Sequence, residues 1–154
     1  MENRSNAVAA AWDGRATEPM PRMGKEWGVG SQALRNLRVG RMPRANLLLE
    51  GTAEGIGIVL EMLRLEQREP IVRWHPGQPL ELPPPGCAAT LVLHDVNELT
   101  SDDQHRVLRW LDQGARQVRV VSTTAVPLWP RVQTGAFSDV LYYRLNTVCV
   151  DMGI

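Results

Sequence analysis

Gly51, Gly55 and Gly57 lie between the short apolar run Asn46–Glu50 and the apolar-patterned stretch Ile58–Arg68. Glycines between a strand and a helix suit a phosphate-cradling turn, because backbone N–H groups wrap an anion best where no side chain intervenes. That chemistry also needs a lysine for the β- and γ-phosphates and a Ser or Thr hydroxyl for magnesium, in the pattern G-x-x-x-x-G-K-S/T. Counted from Gly51, the lysine position is Gly57; aligned on the later glycines, it is Ile58. Neither register supplies a lysine or a hydroxyl, and Lys25 is the only lysine in the chain. Glu54 brings negative charge toward where phosphates would sit. The glycines are therefore expected to serve a tight turn from strand to helix, with a weak anion site at the helix N-terminus as the alternative. Arg64 and Arg68 are the nearest substitute cations, but each lies more than about 9 Å along the helix at its usual rise. A second candidate pair is His94 and Asp95, toward the end of the apolar run Ala89–Val96. It reads either as a metal or acid/base pair or as a hydrogen-bonded structural histidine beside a carboxylate. His75 and His105 fall in a loop and a helix of other character, so no third ligand and no metal site are expected.

The elements that must position these residues follow from period and punctuation. Asn46–Glu50 reads as a buried strand, Gly51–Gly57 as a turn, and Ile58–Arg68 as an amphipathic helix with Val59, Leu60, Met62, Leu63 and Leu65 inward. Glu69–Trp74 is a second short strand; the five prolines of 76–86 make a loop. Ala89–Val96 is a third strand. Ser101 to Gln104 has the spacing of a capping box and opens a helix through Asp112, with Val107, Leu108 and Leu111 buried and Gly114 closing it. Gln117–Thr124 is a strand, Ser138–Leu145 a helix, and Thr147–Asp151 a last strand. Strands alternating with helices predict a parallel sheet covered on both faces. Upstream, Ser31 caps a short helix with Ala33, Leu34 and Leu37 inward, and residues 1–26 read as a flexible arm ahead of a domain spanning 27–154.

The segment VQTGAFSDVLYYRLN, Val132–Asn146, resembles a signature of the AAA+ ATPase domain of bacterial sigma-54-dependent transcription activators. Gly135, Phe137, Leu141, Tyr142, Tyr143, Arg144, Leu145 and Asn146 carry the match. Other pieces fall in the same order. Gly30, Ser31, Ala33 and Leu34 look like the family's entry helix, and Leu47–Gly57 sits where its P-loop belongs. Thr90–Val96 resembles the Walker B strand T-L-F-L-D-E-I, Gln104 falls on a family glutamine, and Val118–Thr124 resembles the sensor strand. The resemblance implies a three-layer P-loop NTPase-like α/β fold with a mostly parallel sheet. Its middle is shortened, and the helical lid is absent from the sequence. It also places His94 at the magnesium aspartate, Asp95 at the catalytic glutamate, Ala125 at the sensor asparagine and Ser138 at the first of two intersubunit arginines, Arg144 keeping the second. The sigma-contacting G-A-F-T-G-A loop has no counterpart in HPGQPLELPPPG; Gly135, Ala136 and Phe137 belong to the arginine segment instead.

Bulk properties fit one ordinary domain. The chain has 154 residues, 44% apolar and 22% charged, and a formal net charge of zero, giving no overall case for nucleic-acid binding. The charge is uneven: residues 1–44 carry eight basic and four acidic side chains, so a basic arm on an acidic body is the alternative to a solvated tail. Trp12 and Trp27 in that region could stack on bases or cover the core. Cys87 and Cys149 lack metal or disulfide spacing, and no apolar run is long enough to span a bilayer or act as a signal peptide, so a cytoplasmic protein is expected.

The expected function is that of a nucleotide-dead AAA+ remnant acting as an interaction or regulatory module in sigma-54-dependent transcription. The nucleotide-binding remnant, expected to be inactive, is Gly51, Gly55, Gly57, His94, Asp95 and Thr124; Phe137, Tyr142 and Arg144 are the candidates for meeting a partner. That partner is a sigma-54 activator or a second copy of the chain, and no cofactor is expected. The alternative is a weak or residual ATP-binding domain.

Overall fold

A computed structural model describes residues 45–64, 67–114 and 117–153. The flexible arm, the helix expected from Ser31, Lys25, both upstream tryptophans and Leu65 lie outside the described residues. Three leucines lead the first strand, β1 (Leu47–Glu50), and all three are wholly buried. Three consecutive leucines offer water no polar side chain, so the strand must be covered on both faces and paired on both edges. Its neighbours are β4 (Val118–Thr124) and β5 (Val148–Asp151), both parallel to it, with Glu50 opposite Thr124 on one side and Asp151 on the other. Beyond β4 lie β3 (Ala89–Leu93) and the edge strand β2 (Ile71–Trp74), giving one parallel five-stranded sheet in the order β2-β3-β4-β1-β5.

Alternation along the strands sorts the core into two layers. Leu47, Leu49, Val92, Val121 and Val150 meet α1 (Ala53–Leu63) through Ile56, Val59 and Leu63. Leu48, Leu91, Leu93 and Val120 face the other way, onto α2 (Ser101–Asp112) through Val107 and Trp110, and onto α4 (Asp139–Leu145) through Leu141 and Leu145. The sheet with helices on both faces is a three-layer α/β arrangement, as the alternation of strands and helices predicts.

Several elements depart from their expected bounds for identifiable reasons. α1 begins at Ala53, five residues early, because the Thr52 hydroxyl accepts the Gly55 N–H at 3.2 Å and caps the helix there. Gly55 and Gly57 are thus helical, not turn residues, at a propensity cost of about 1 kcal/mol each. Burial of Ile56, Val59 and Leu63, at roughly 1.5–3 kcal/mol per fully buried side chain, outweighs that cost. α2 is capped by Thr100 rather than Ser101: its hydroxyl accepts the Asp103 N–H at 3.1 Å. Trp110 fills the core of α2, while Leu108 and Leu111 pack at its margin. β3 stops at Leu93, so His94 and Asp95 emerge from the sheet into a 3₁₀ turn, Val96–Glu98. A short helix, α3 (Trp129–Gln133), has no counterpart in the sequence reading; Pro130 fits its first turn because no N–H partner is required there.

The proline-rich connection from β2 to β3 takes the place of a helix on the α2 side. Leu80 is buried, the Leu80 carbonyl accepts from Arg106 at 3.0 Å, and the Pro83 carbonyl accepts from the Trp110 indole at 2.8 Å. Phe137 is only 1% exposed among α2, α4 and the sheet, so it fills the core and offers no surface to a partner. Phe137→Ala should therefore lower unfolding free energy by about 3–5 kcal/mol in urea denaturation followed by circular dichroism.

Candidate functional site at the carboxyl edge of the sheet

Parallel strands send their following loops to one edge, which is where ligands of such sheets bind. Here β1 is extended past Glu50: Gly51 N–H donates to the Thr124 carbonyl at 3.1 Å, and Met152 N–H donates to the Glu50 carbonyl at 2.8 Å. The second bond lays Met152, 8% exposed, over the start of α1. A Cβ at Gly51 would stand 2.9 Å from Met152 Cβ and 3.0 Å from its Cε. At Gly55 a Cβ would lie 3.5 Å from the thioether sulfur. Gly51 is thus small because Met152 needs its space. Only Gly51 and Thr52 join β1 to α1, and the expected glycine turn of 51–57 is replaced by the first turns of the helix.

The remaining predicted residues separate into different environments. His94 N–H donates to the Trp74 carbonyl at 3.0 Å, and its ring stacks on His75 with centroids 4.2 Å apart and planes 4° from parallel. Burial holds the His94 pKa below its ordinary value, His75 and Arg73 press it further down, and Asp95 opposes them. Asp95 takes a left-handed conformation, φ 47°, and its N–H donates to Thr123 Oγ1 at 3.3 Å. An aspartate tolerates that backbone better than most residues. Among the described residues no three metal-ligating side chains converge. The Thr124 hydroxyl lies 2.9 Å from Asn97 Oδ1 and 2.8 Å from the Val126 carbonyl, tying β4 to the 3₁₀ turn. Gly57 and His94 line a groove on the flank of α1, apart from Gly51, Gly55 and Thr124.

Glu50 and Met152, which the motif reading passed over, and Gln104, which it placed only on a family glutamine, hold the surrounding chain in place. Glu50 Oε1 accepts the Leu128 N–H at 3.1 Å, fixing the chain that leads into α3. Burial raises the Glu50 pKa; that hydrogen bond opposes the rise and Asp151 adds to it. The same edge pushes the Cys149 thiol up to about 12, by burial first and then by Glu50 and Asp151. Gln104, 6% exposed, donates to the Leu99 and Ala136 carbonyls at 3.1 and 3.2 Å and accepts the Ser138 N–H at 2.8 Å. It clamps the start of α2 to the entry of α4. A charge at the end of an apolar run and a glutamine on a buried helix face are the sequence signals for Glu50 and Gln104; Met152 has none.

The intersubunit candidates sit in different environments. Ser138 caps α4, its hydroxyl accepting the Leu141 N–H at 3.2 Å. Arg144 reaches across the protein surface to Asp112 at 2.9 Å, and its carbonyl accepts from Asn46 at 2.9 Å. Tyr142 is half-buried against Trp129, ring centroids 5.5 Å apart, whereas Tyr143 is 64% exposed.

Comparison with solved structures defines the class as a P-loop NTPase-like α/β domain. NtrX from Brucella abortus superposes with a TM-score of 0.59 at 18% identity, over 99% of this chain and 45% of NtrX. NtrX from the same organism in complex with ATP gives 0.61 at 19% identity, over 99% and 43%. The P-loop NTPase domain of the sigma-54 transport activator from E. coli gives 0.52 at 18% identity, over 73% of this chain and 99% of that domain. The chain spans less than half the length of the NtrX structures. Residues 78–153 match the Sigma-54 interaction domain family, which links the chain to the sigma-54 activators. No curated protein sequence matches it. Among the described residues no helix is long and apolar enough to cross a membrane.

Two measurements check this geometry. Gly51→Ala should destabilise the domain by roughly 1–3 kcal/mol through overpacking against Met152. Adding Met152→Ala should recover part of that loss in a double-mutant cycle of urea midpoints. Glu50 has a folded pKa above its ordinary 4.5, so its ionisation favours the unfolded chain. Its contribution is most favourable below that ordinary value and is lost as pH rises through the folded pKa. Glu50→Gln keeps an acceptor for Leu128 and should gain in midpoint over the parent as pH is raised from acid to neutral.

Proposed function

We propose that this domain is a nucleotide-dead relative of the AAA+ activator core, acting as a protein-interaction or regulatory module in sigma-54-dependent transcription. The observation that carries this reading is the two-residue join between β1 and α1, with Met152 packed on Gly51 and Gly55. A triphosphate at that position would meet a thioether instead of a ring of N–H donors. It would also lie near Glu54 in the first turn of α1 and the Glu50–Asp151 pair, with no lysine among the described residues. Three charges of like sign near a polyanion oppose binding. The link to sigma-54 activators rests on residues 78–153, which include Arg144 and the exposed Tyr143.

Residual ATP binding is the competing reading, favoured by the fold likeness to NtrX in complex with ATP. Calorimetric titration of the full chain with magnesium-ATP separates the two. No saturable heat is the expected result, and micromolar binding would replace the present reading with the second. The interaction role has its own measurement, a pull-down of the sigma-54 activators of the source organism by the full chain. Capture of an activator is expected, with loss of capture in Arg144→Ala. Because the Arg144–Asp112 pair is exposed, that substitution should cost the fold no more than about 1 kcal/mol.

A further inference from the structure

A groove of ≈ 230 Å³ runs along one flank of α1 where the helix crosses β2 and β3. Its origin is the β2–β3 connection, whose Leu80 and Pro83 carbonyls are held by Arg106 and Trp110 on the opposite face of the sheet. Among the described residues nothing stands beside α1 over the two outer strands. Gly57 leaves the wall open, since a Cβ there would meet no atom within 4 Å. Leu60 and Val92 make an apolar floor; Arg64, Arg73, His94 and Gln67 make a polar rim, with the exposed Glu61 carboxylate, partner of Arg64, at its edge.

The rim groups have capacity to spare. Among the described residues the Arg64 side chain is engaged only with Glu61, at 3.4 Å, and both side chains are about two-thirds exposed (65% and 69%), a weak pairing that an anion can replace. No carboxylate among the described residues pairs with Arg73. Gln67 Oε1 is buried without a hydrogen-bond partner among the described residues, which leaves an acceptor waiting for a donor. Two guanidiniums, an imidazole, an unsatisfied acceptor and two hydrocarbon side chains thus line one groove. The volume lies below the roughly 300–1,000 Å³ of pockets for drug-sized molecules, so a nucleoside triphosphate is too large for it.

We propose that this groove binds a small hydroxylated organic oxyanion, its phosphate or carboxylate held by Arg64, Arg73 and His94 and its hydroxyl donating to Gln67. Arginine forks suit such oxygens through paired N–H donors. The site is independent of the carboxyl-edge reading, because it lies on the flank of α1 away from Met152. An anion there would also favour protonated His94, whose facing groups are His75, Arg73 and Asp95.

The test titrates the full chain with glycerol 3-phosphate and, separately, with inorganic phosphate, following the His94 ring protons by NMR. Expected is a saturable shift with glycerol 3-phosphate, tighter than with inorganic phosphate. In Arg73→Gln the affinity should fall about tenfold, the loss of one charge-assisted contact. In Gln67→Leu the preference for glycerol 3-phosphate over inorganic phosphate should disappear. Both side chains sit at the rim, and unchanged core methyl signals confirm folding of each variant. No saturable shift in the parent, or equal affinity in Arg73→Gln, would overturn the proposal.

Discussion

β1 is the strand on which everything else depends. Leu47, Leu48 and Leu49 are buried on alternating faces, and both edges of the strand are hydrogen-bonded. Alternation forces one helix layer to cover Leu47 and Leu49 and another to cover Leu48. Pairing on both edges draws in β4 and β5 and aligns their ends with Glu50. Once those registers hold, Thr124 and Asp151 flank Glu50, and the chain after β5 must pass over the start of α1.

That passage decides the character of the carboxyl edge. Met152 is placed by a backbone hydrogen bond to Glu50, so its side chain fills the space over Gly51 and Gly55 whatever the side chain is called on to do. Glu50 is held half-buried by Leu128 N–H, and Asp151 beside it keeps the edge acidic. On the other face, Gln104 joins the start of α2 to Ala136 and Ser138, and Ser138 then caps α4. One buried amide therefore orients the segment that carries the family likeness, and Ser138 at its start serves as a helix cap.

Periodicity made the strands, α2 and α4 legible to within a few residues, because their burial is continuous and their caps are local. Thr100 and Ser138 are local hydroxyl caps of that kind, within a residue of where the helices were expected to open. α1 was misplaced because glycine argues for a turn in isolation, while Thr52 and the buried Ile56, Val59 and Leu63 favour helix in the folded chain. α3 was missed because its five residues, begun by Trp129 and Pro130, have no period to read. Phe137 matched a signature segment in type and spacing, and only packing shows that its ring is enclosed. His75 and His94 gave no sign of stacking, since the proline-rich loop that brings them together has no regular structure.

By itself the sequence determined the alternating α/β order, the absence of a phosphate-loop lysine and hydroxyl, and the resemblance that the family comparison supports over residues 78–153. These are properties of residue type and short spacing, which need no knowledge of distant neighbours. The tertiary structure alone decided that Met152 meets Gly51, that Glu50 lies against Asp151, and that Gly57 and His94 open onto one groove while Gly51 and Thr124 belong to another place. Each of those contacts joins residues far apart in the chain. They are set by sheet register and by the face on which each connection crosses, quantities that no local pattern encodes.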